Sequence, residues 1–261
     1  MKSSKYLQIE RAAFASWPAF EQVARKGWIF RYAEGCTKRA NSVQVIEPLK
    51  GDLAKAIAFT DSHYAEWALS TVFRLLSFVD NEALDAHLAD LEYRFVEPSL
   101  VLGMELKGSG PKAAAAASID RDEWLAIYCA ISGKNLSDQL VHRKILQKIP
   151  EASLFAVHYE DGRAVACGVG VLDDGCLGIF DIVTESELRN RGHAANLIAR
   201  MLVWARLQAA SFAYVQVLAA NAPAVRLYEK LGYRRLYDYW YRVKTRSISQ
   251  VPNNPSNPIK S

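Results

Sequence analysis

The spacing of apolar residues divides the chain into short helices and strands. Leu197, Ile198, Met201, Leu202 and Ala205 recur at i, i+1, i+4, i+5 and i+8, which draws one apolar stripe along an α-helix. Before it, Leu177 to Thr184 is a β-branched and aromatic run of the kind that forms a strand, and Phe212 to Leu218 behind it is a second. Asn221 to Tyr233 then reads as a short helix with both ends specified. Asn221 suits the N-cap, Pro223 is tolerated in the first turn, and Gly232 fits the position just past the last turn.

The remaining elements follow from the same reasoning. A helix is predicted from Glu10 to Ala24, strands over 28–33 and 41–47, a helix opened by Asp52 to about Trp67, a strand over 71–77, and a helix over 81–91. Two closing strands, 93–96 and 100–106, end this half, and Lys107 to Lys112 with the five alanines behind it reads as a linker. Beyond it, Asp120 and Ser137 cap helices through Ile131 and Lys148, and 154–159 and 164–172 are strands. Asp174-Gly175 is a hairpin turn that sets Asp173 opposite Cys176 and therefore Cys167 opposite Ile182, so these two cysteines do not form a disulfide. The two halves repeat one order of elements. Asn81 plus twelve is Tyr93, Asn221 plus twelve is Tyr233, and each Asn opens a helix that a Tyr-led strand follows.

The turn Arg189-Asn190-Arg191-Gly192-His193-Ala194 joins a strand to a helix N-terminus. The first N–H groups of a helix have no partner within it and carry the positive end of its dipole. A phosphate fits there, Gly192 permits close approach, and the two arginines add charge. By itself the motif favours the plainer reading, a basic helix start facing solvent, because short glycine motifs recur by chance.

The pattern R-x-x-G-x-A after a strand, followed by N-x-x-A-x-x-L-Y-E-K-L-G-Y, resembles the GNAT superfamily of acetyl-CoA-dependent N-acyltransferases. The repeated halves resemble its double-length bacterial members. The resemblance implies an α/β (α+β) fold of two tandem GNAT-like domains, each a mixed, mostly antiparallel sheet flanked by helices: 1–106, a linker at 107–117, a catalytic domain at 118–246, and a disordered tail at 247–261. The first copy is implied to be degenerate, since Pro48 to Asp52 replaces the phosphate turn and Leu88 stands where Tyr228 does. It further implies acetyl-CoA as co-substrate, with the pantetheine arm against the backbone of Ile182, Val183 and Thr184. Arg189, Asn190, Arg191, Gly192, His193 and Ala194 would receive the pyrophosphate, Asn221 would join the cofactor site, and the His193 imidazole would face solvent.

Acyl transfer to an amine needs a proton for the departing thiolate and a means of taking one from the nucleophile. Tyr228 matches the family's acid and suits that task, although its spacing from Val225 and Leu231 also fits a core aromatic. Asp181, Glu185, Glu187 and Asp238 are the carboxylates near the cleft, and none is assigned as base. The expected acceptor is a small-molecule or peptide amine, faced by Ser132 to Asn135 and by a closing hairpin at 236–241. The alternative is a non-catalytic acyl-CoA-binding or regulatory module.

Composition adds exclusions. The chain has 261 residues, 51% of them hydrophobic, enough for two domains with a sizeable core. A formal charge of +4 is spread without a Lys/Arg run, so no nucleic-acid partner is expected. There is no apolar run of membrane or signal type, and a soluble cytoplasmic protein is expected. Four cysteines without C-x-x-C spacing predict no metal. Nothing in the sequence specifies an oligomeric state.

Overall fold

The computed structural model describes residues 2–108 and 113–245. It divides into two compact units, Met1–Phe20 with Ser99–Asp238, and Glu21–Pro98 with the chain from Tyr239. In chain order the elements are α1 (Lys2–Ser16), β1 (Glu21–Arg25), β2 (Trp28–Tyr32), β3 (Val43–Val45), α2 (Leu53–Glu66), β4 (Thr71–Leu76), α3 (Glu82–Asp90) and β5 (Arg94–Glu105). They continue as α4 (Arg121–Ser132), α5 (Leu140–Lys148), β6 (Ser153–Glu160), β7 (Arg163–Asp173), β8 (Cys176–Thr184), α6 (His193–Leu207), β9 (Phe212–Leu218), α7 (Ala222–Lys230) and β10 (Arg234–Lys244).

In the unit built on Glu21–Pro98 the strands run in the order β1-β2-β3-β4-β10. Only β3 and β4 are parallel, and α2 makes the crossover that a parallel pair requires. Trp28, Phe30, Phe73, Leu75, Leu88 and Tyr93 form its core. In the unit built on Ser99–Asp238 the order is β5-β9-β8-β7-β6, again with one parallel pair, β8 and β9, joined by α6. The predicted stripe Leu197, Ile198, Met201, Leu202 and Ala205 is the buried face of α6, packed with Leu177, Ile179, Val215 and Tyr228. Each unit is thus a mixed, mostly antiparallel sheet with helices against it.

The repeat holds in detail. Tyr93 N–H bonds the Leu88 carbonyl at 2.9 Å, and Tyr233 N–H bonds the Tyr228 carbonyl at 3.1 Å. The residue before each tyrosine has positive φ, +63° at Glu92 and +97° at Gly232. Beyond this point the two copies trade their last strands. The second part of β5 lies antiparallel on β9, with Ser99 opposite Leu218 and Glu105 opposite Phe212. The end of β10 lies antiparallel on β4, with Tyr239 opposite Leu76 and Lys244 opposite Thr71.

This exchange, together with α1, moves the unit boundaries away from the expected 1–106 and 118–246. Residues 2–20 belong with the second repeat: Ile9, Ala12, Ala13 and Trp17 are buried there, and Glu10 accepts a 2.7 Å hydrogen bond from Tyr237. The predicted helix over 10–24 is also displaced. It ends at Ser16 because Pro18 disfavours helical backbone at Trp17, and the chain then enters β1. In place of two closing strands, β5 is continuous through a positive φ at Glu97, and β10 is one strand where a hairpin at 236–241 was expected. The tail expected over 247–261 lies outside the described residues.

Candidate active site

The hairpin at Asp174-Gly175 pairs Asp173 with Cys176 as predicted, and the ladder then slips. Val169 faces Phe180 while Cys167 faces Val183, not Ile182, so one extra residue of β8 is accommodated opposite Gly168. The slip centres on Asp181, at φ +49°. A bulge of this kind bends a strand and changes which face its side chains take. Leu177 and Ile179 join the α6 core; after the bulge it is Ile182 that packs there, and Asp181 goes to the other face. Gly168 makes room for this, because a Cβ at that position would stand 2.2 Å from Ile182 Cδ1.

The bend has a second effect. The parallel pairing of β8 with β9 ends at Ile179 opposite Val215, although β8 continues to Thr184 and β9 to Leu218. From Phe180 onward β8 pairs with β7 alone, so the β9-facing edge of Ile182 to Thr184 has no ladder partner. At the mouth of this V stands the start of α6. Gly192 is its N-cap, at φ +89°, and no side chain caps the helix. A Cβ built on Gly192 would meet nothing within 4 Å. Arg189 and Arg191 are exposed beside it. An open wedge of strand backbone leading to free helix N–H groups fits an elongated ligand that carries amides and a phosphate.

The first repeat closes both features. The carboxylate of Asp52 caps α2, accepting from Lys55 N–H at 3.0 Å, and so occupies the helix start with negative charge. All of β3 pairs with β4.

Tyr228 lies on α7 among the residues of the α6 core, edge-on to Tyr233 at 5.5 Å between ring centroids. Its hydroxyl has no hydrogen-bond partner among the described residues, and burial raises its pKa above the ordinary phenol value. The phenol is therefore protonated across the physiological range. Asn221 caps α7, accepting from Ala224 N–H at 3.3 Å. The expectation for the His193 side chain is corrected. The ring is buried, 5.5 Å from that of His158, and its Nε2 lies 3.6 Å from Glu160, because the first turn of α6 is pressed against β6.

On the opposite face of the sheet the bulge brings Asp181 to a residue the sequence did not single out. His142 Nε2 on α5 lies 3.0 Å from Asp181 Oδ2. Tyr128 stands edge-on to His142 at 5.4 Å and Trp17, just past the end of α1, packs on it at 5.6 Å. Lys134 donates to the Tyr128 hydroxyl at 2.7 Å. The alternation of α5, which buries His142 with Ile145 and Leu146, was the available signal.

The fold and the wedge at the head of α6 define a GNAT-type N-acetyltransferase. Residues 3–242 match the family described as "Probable histone acetyltransferase Rv0428c C-terminal", and the chain belongs to that family. It is 26% identical over 245 residues to the "Uncharacterized N-acetyltransferase YobR" of Bacillus subtilis (strain 168), covering 91% of this chain and 98% of that protein. Among solved structures it is similar to a GCN5-related N-acetyltransferase from Kribbella flavida, at TM-score 0.69 and 18% identity over 94% of this chain and 98% of that one. A functionally unknown conserved protein from Staphylococcus epidermidis ATCC 12228 superimposes at TM-score 0.65 and 12% identity, over 92% and 100%. No described helix is long and apolar enough to cross a membrane.

Proposed function

We propose that the protein transfers an acetyl group from acetyl-CoA to a primary amine of a small molecule or peptide, with one cofactor site per chain. The observation that carries this reading is the parting of β8 from β9 after Ile179 beside an uncapped α6. The cofactor would lie with its pantetheine arm along Ile182, Val183 and Thr184. The pyrophosphate would meet the N–H groups of Gly192, His193 and Ala194, with Arg189, Asn190 and Arg191 around it and Asn221 holding the start of α7 nearby. Bound acetyl-CoA supplies an activated acyl carbon.

The chain supplies the proton. Attack by a neutral amine places negative charge on the carbonyl oxygen, and collapse expels a thiolate of basicity close to that of a phenol. The Tyr228 hydroxyl, which has no competing partner among the described residues, is the donor to that sulfur. The protonated state that burial enforces is the one an acid requires.

The test is calorimetric titration with acetyl-CoA, followed by thiol release measured over a panel of lysine peptides, polyamines, amino acids and aminoglycosides. One site per chain and thiol release with at least one amine are expected. Two equivalent sites would contradict the closed wedge at Asp52, and binding without turnover of any amine would leave the protein as an acyl-CoA-binding module.

A further inference from the structure

The sequence leaves four carboxylates open as the base, and the structure separates them. Glu185 is engaged by the Arg163 guanidinium and Asp238 by that of Arg235, so each already has a fixed cationic partner. Glu187 stands exposed in the short 3₁₀ turn at Ser186–Leu188. Asp181 differs in partner and place. Its partner is a histidine, which can share a proton, and its backbone is held at φ +49° by the bulge that opens the wedge. Such backbone strain is kept where surrounding structure over-determines it, commonly at sites of chemistry.

We infer that Asp181 receives the proton of the attacking amine and that His142 is the residue that positions it. The inference rests on the acetyltransferase reading above. Accessibility decides the order of the pair, since the Asp181 side chain retains 23% of its exposure and that of His142 only 8%. His142 is braced by rings on two sides, Trp17 and Tyr128, so the 3.0 Å contact fixes one carboxylate oxygen and leaves the other for the substrate.

The step balances with the chain's own groups and solvent. The arriving ammonium passes a proton to Asp181, the nitrogen, now neutral, forms the C–N bond as the carbonyl pair moves to oxygen, and its second proton leaves to solvent. As the C–S bond breaks, its electron pair goes to sulfur together with the Tyr228 proton. Asp181 then loses a proton to solvent, Tyr228 regains one, and the net products are an amide and a thiol. A carboxylate at this point also favours an acceptor that arrives as a cation, an alkylammonium in preference to an aryl amine. The titratable groups facing Asp181 are His142 from α5, Tyr128 on α4 with Lys134 just beyond it, and Cys167 from β7; the segment after α1 contributes the apolar Trp17.

The test uses the full chain and an amine that the parent acetylates. Asp181→Asn retains a side chain that tolerates positive φ and can still bond His142, so the fold should survive. Its turnover number is expected to fall about 10²- to 10⁴-fold, with acetyl-CoA affinity unchanged and activity recovering as pH rises and free amine accumulates. His142→Gln is expected to lose about tenfold in turnover number and to displace the acidic limb of the kcat/KM profile, which a purely structural role would not do. A folded Asp181→Asn protein that binds acetyl-CoA and matches the parent's turnover overturns the inference alone. A parent that binds acetyl-CoA but acetylates no amine overturns the acetyltransferase proposal, and this one with it.

Discussion

Arg242 grips Asp85 through two parallel hydrogen bonds, Nε to Oδ1 at 2.8 Å and the second guanidinium nitrogen to Oδ2 at 3.0 Å, across 157 positions of chain. Trp240 adds a third bond to Oδ1 at 2.8 Å. The arginine and tryptophan lie on the strand received in the exchange, and the aspartate on α3. The exchanged strand is thus fastened by side chains as well as by its ladder.

Burial works to raise the Asp85 pKa, but the bonds from Arg242 and Trp240 outweigh it and the net shift is downward. A depressed carboxylate contributes stability that is present above its unfolded pKa and is lost as pH falls through the folded one. Asp85→Asn should cost about 2 kcal/mol at neutral pH, lowering Tm by about 4–8 °C. The penalty should shrink below pH 4, the ordinary carboxylate value. Thermal melts at pH 7 and pH 3 check both statements; equal penalties at the two would show that the ion pair does not supply the stability.

A fragment spanning 118–246 should not fold alone. It lacks the part of β5 that covers the edge of β9, and it lacks α1, whose Ile9 and Ala13 are buried and whose Glu10 bonds Tyr237. An uncovered edge strand and an exposed apolar face favour association over folding. Circular dichroism and size-exclusion chromatography of the fragment give the answer. A monomer with a cooperative melt would mean that these contacts are dispensable.

The domain limits were the least legible part of the fold, and the reason is physical. Asn221, Gly232 and the α6 stripe act within a few residues of themselves, so helix positions could be read directly. Which edge a closing strand pairs with is decided by contacts more than a hundred residues away, and β5 and β10 carry no local mark of their exchange. The candidate site divides the same way. The turn at Arg189 to Ala194 was visible because it is contiguous, whereas Asp181 stood among four equal carboxylates until the bulge changed its face, and His142 is 39 residues from it.

Gly192→Val should weaken acetyl-CoA binding at least tenfold, because the side chain would enter the open space where phosphate oxygens approach. Its φ of +89° adds a backbone penalty of about 1–2 kcal/mol, so the melt is measured beside the titration. Unchanged affinity in a folded variant would remove the phosphate from this turn.

Tyr228→Phe keeps the ring against Tyr233 and removes a hydroxyl that has no hydrogen-bond partner among the described residues. Stability and acetyl-CoA affinity should hold, while turnover should fall about 10²- to 10⁴-fold. Since the raised pKa keeps the phenol protonated, the parent should show no loss from Tyr228 ionisation up to pH 10. Full activity in the Phe variant, with chemistry limiting, would leave Tyr228 as packing.

The exchange of strands also sets an order of events during synthesis. One edge of β4 is satisfied only by Tyr239–Lys244, near the end of the sequence, so the first-made sheet must wait with that edge bare while the whole second repeat is translated. Bare edges recruit other strands. The nascent chain is most exposed to mispairing with neighbouring copies on the same messenger during this interval, and a slow stretch of translation anywhere between β4 and Tyr239 would prolong it.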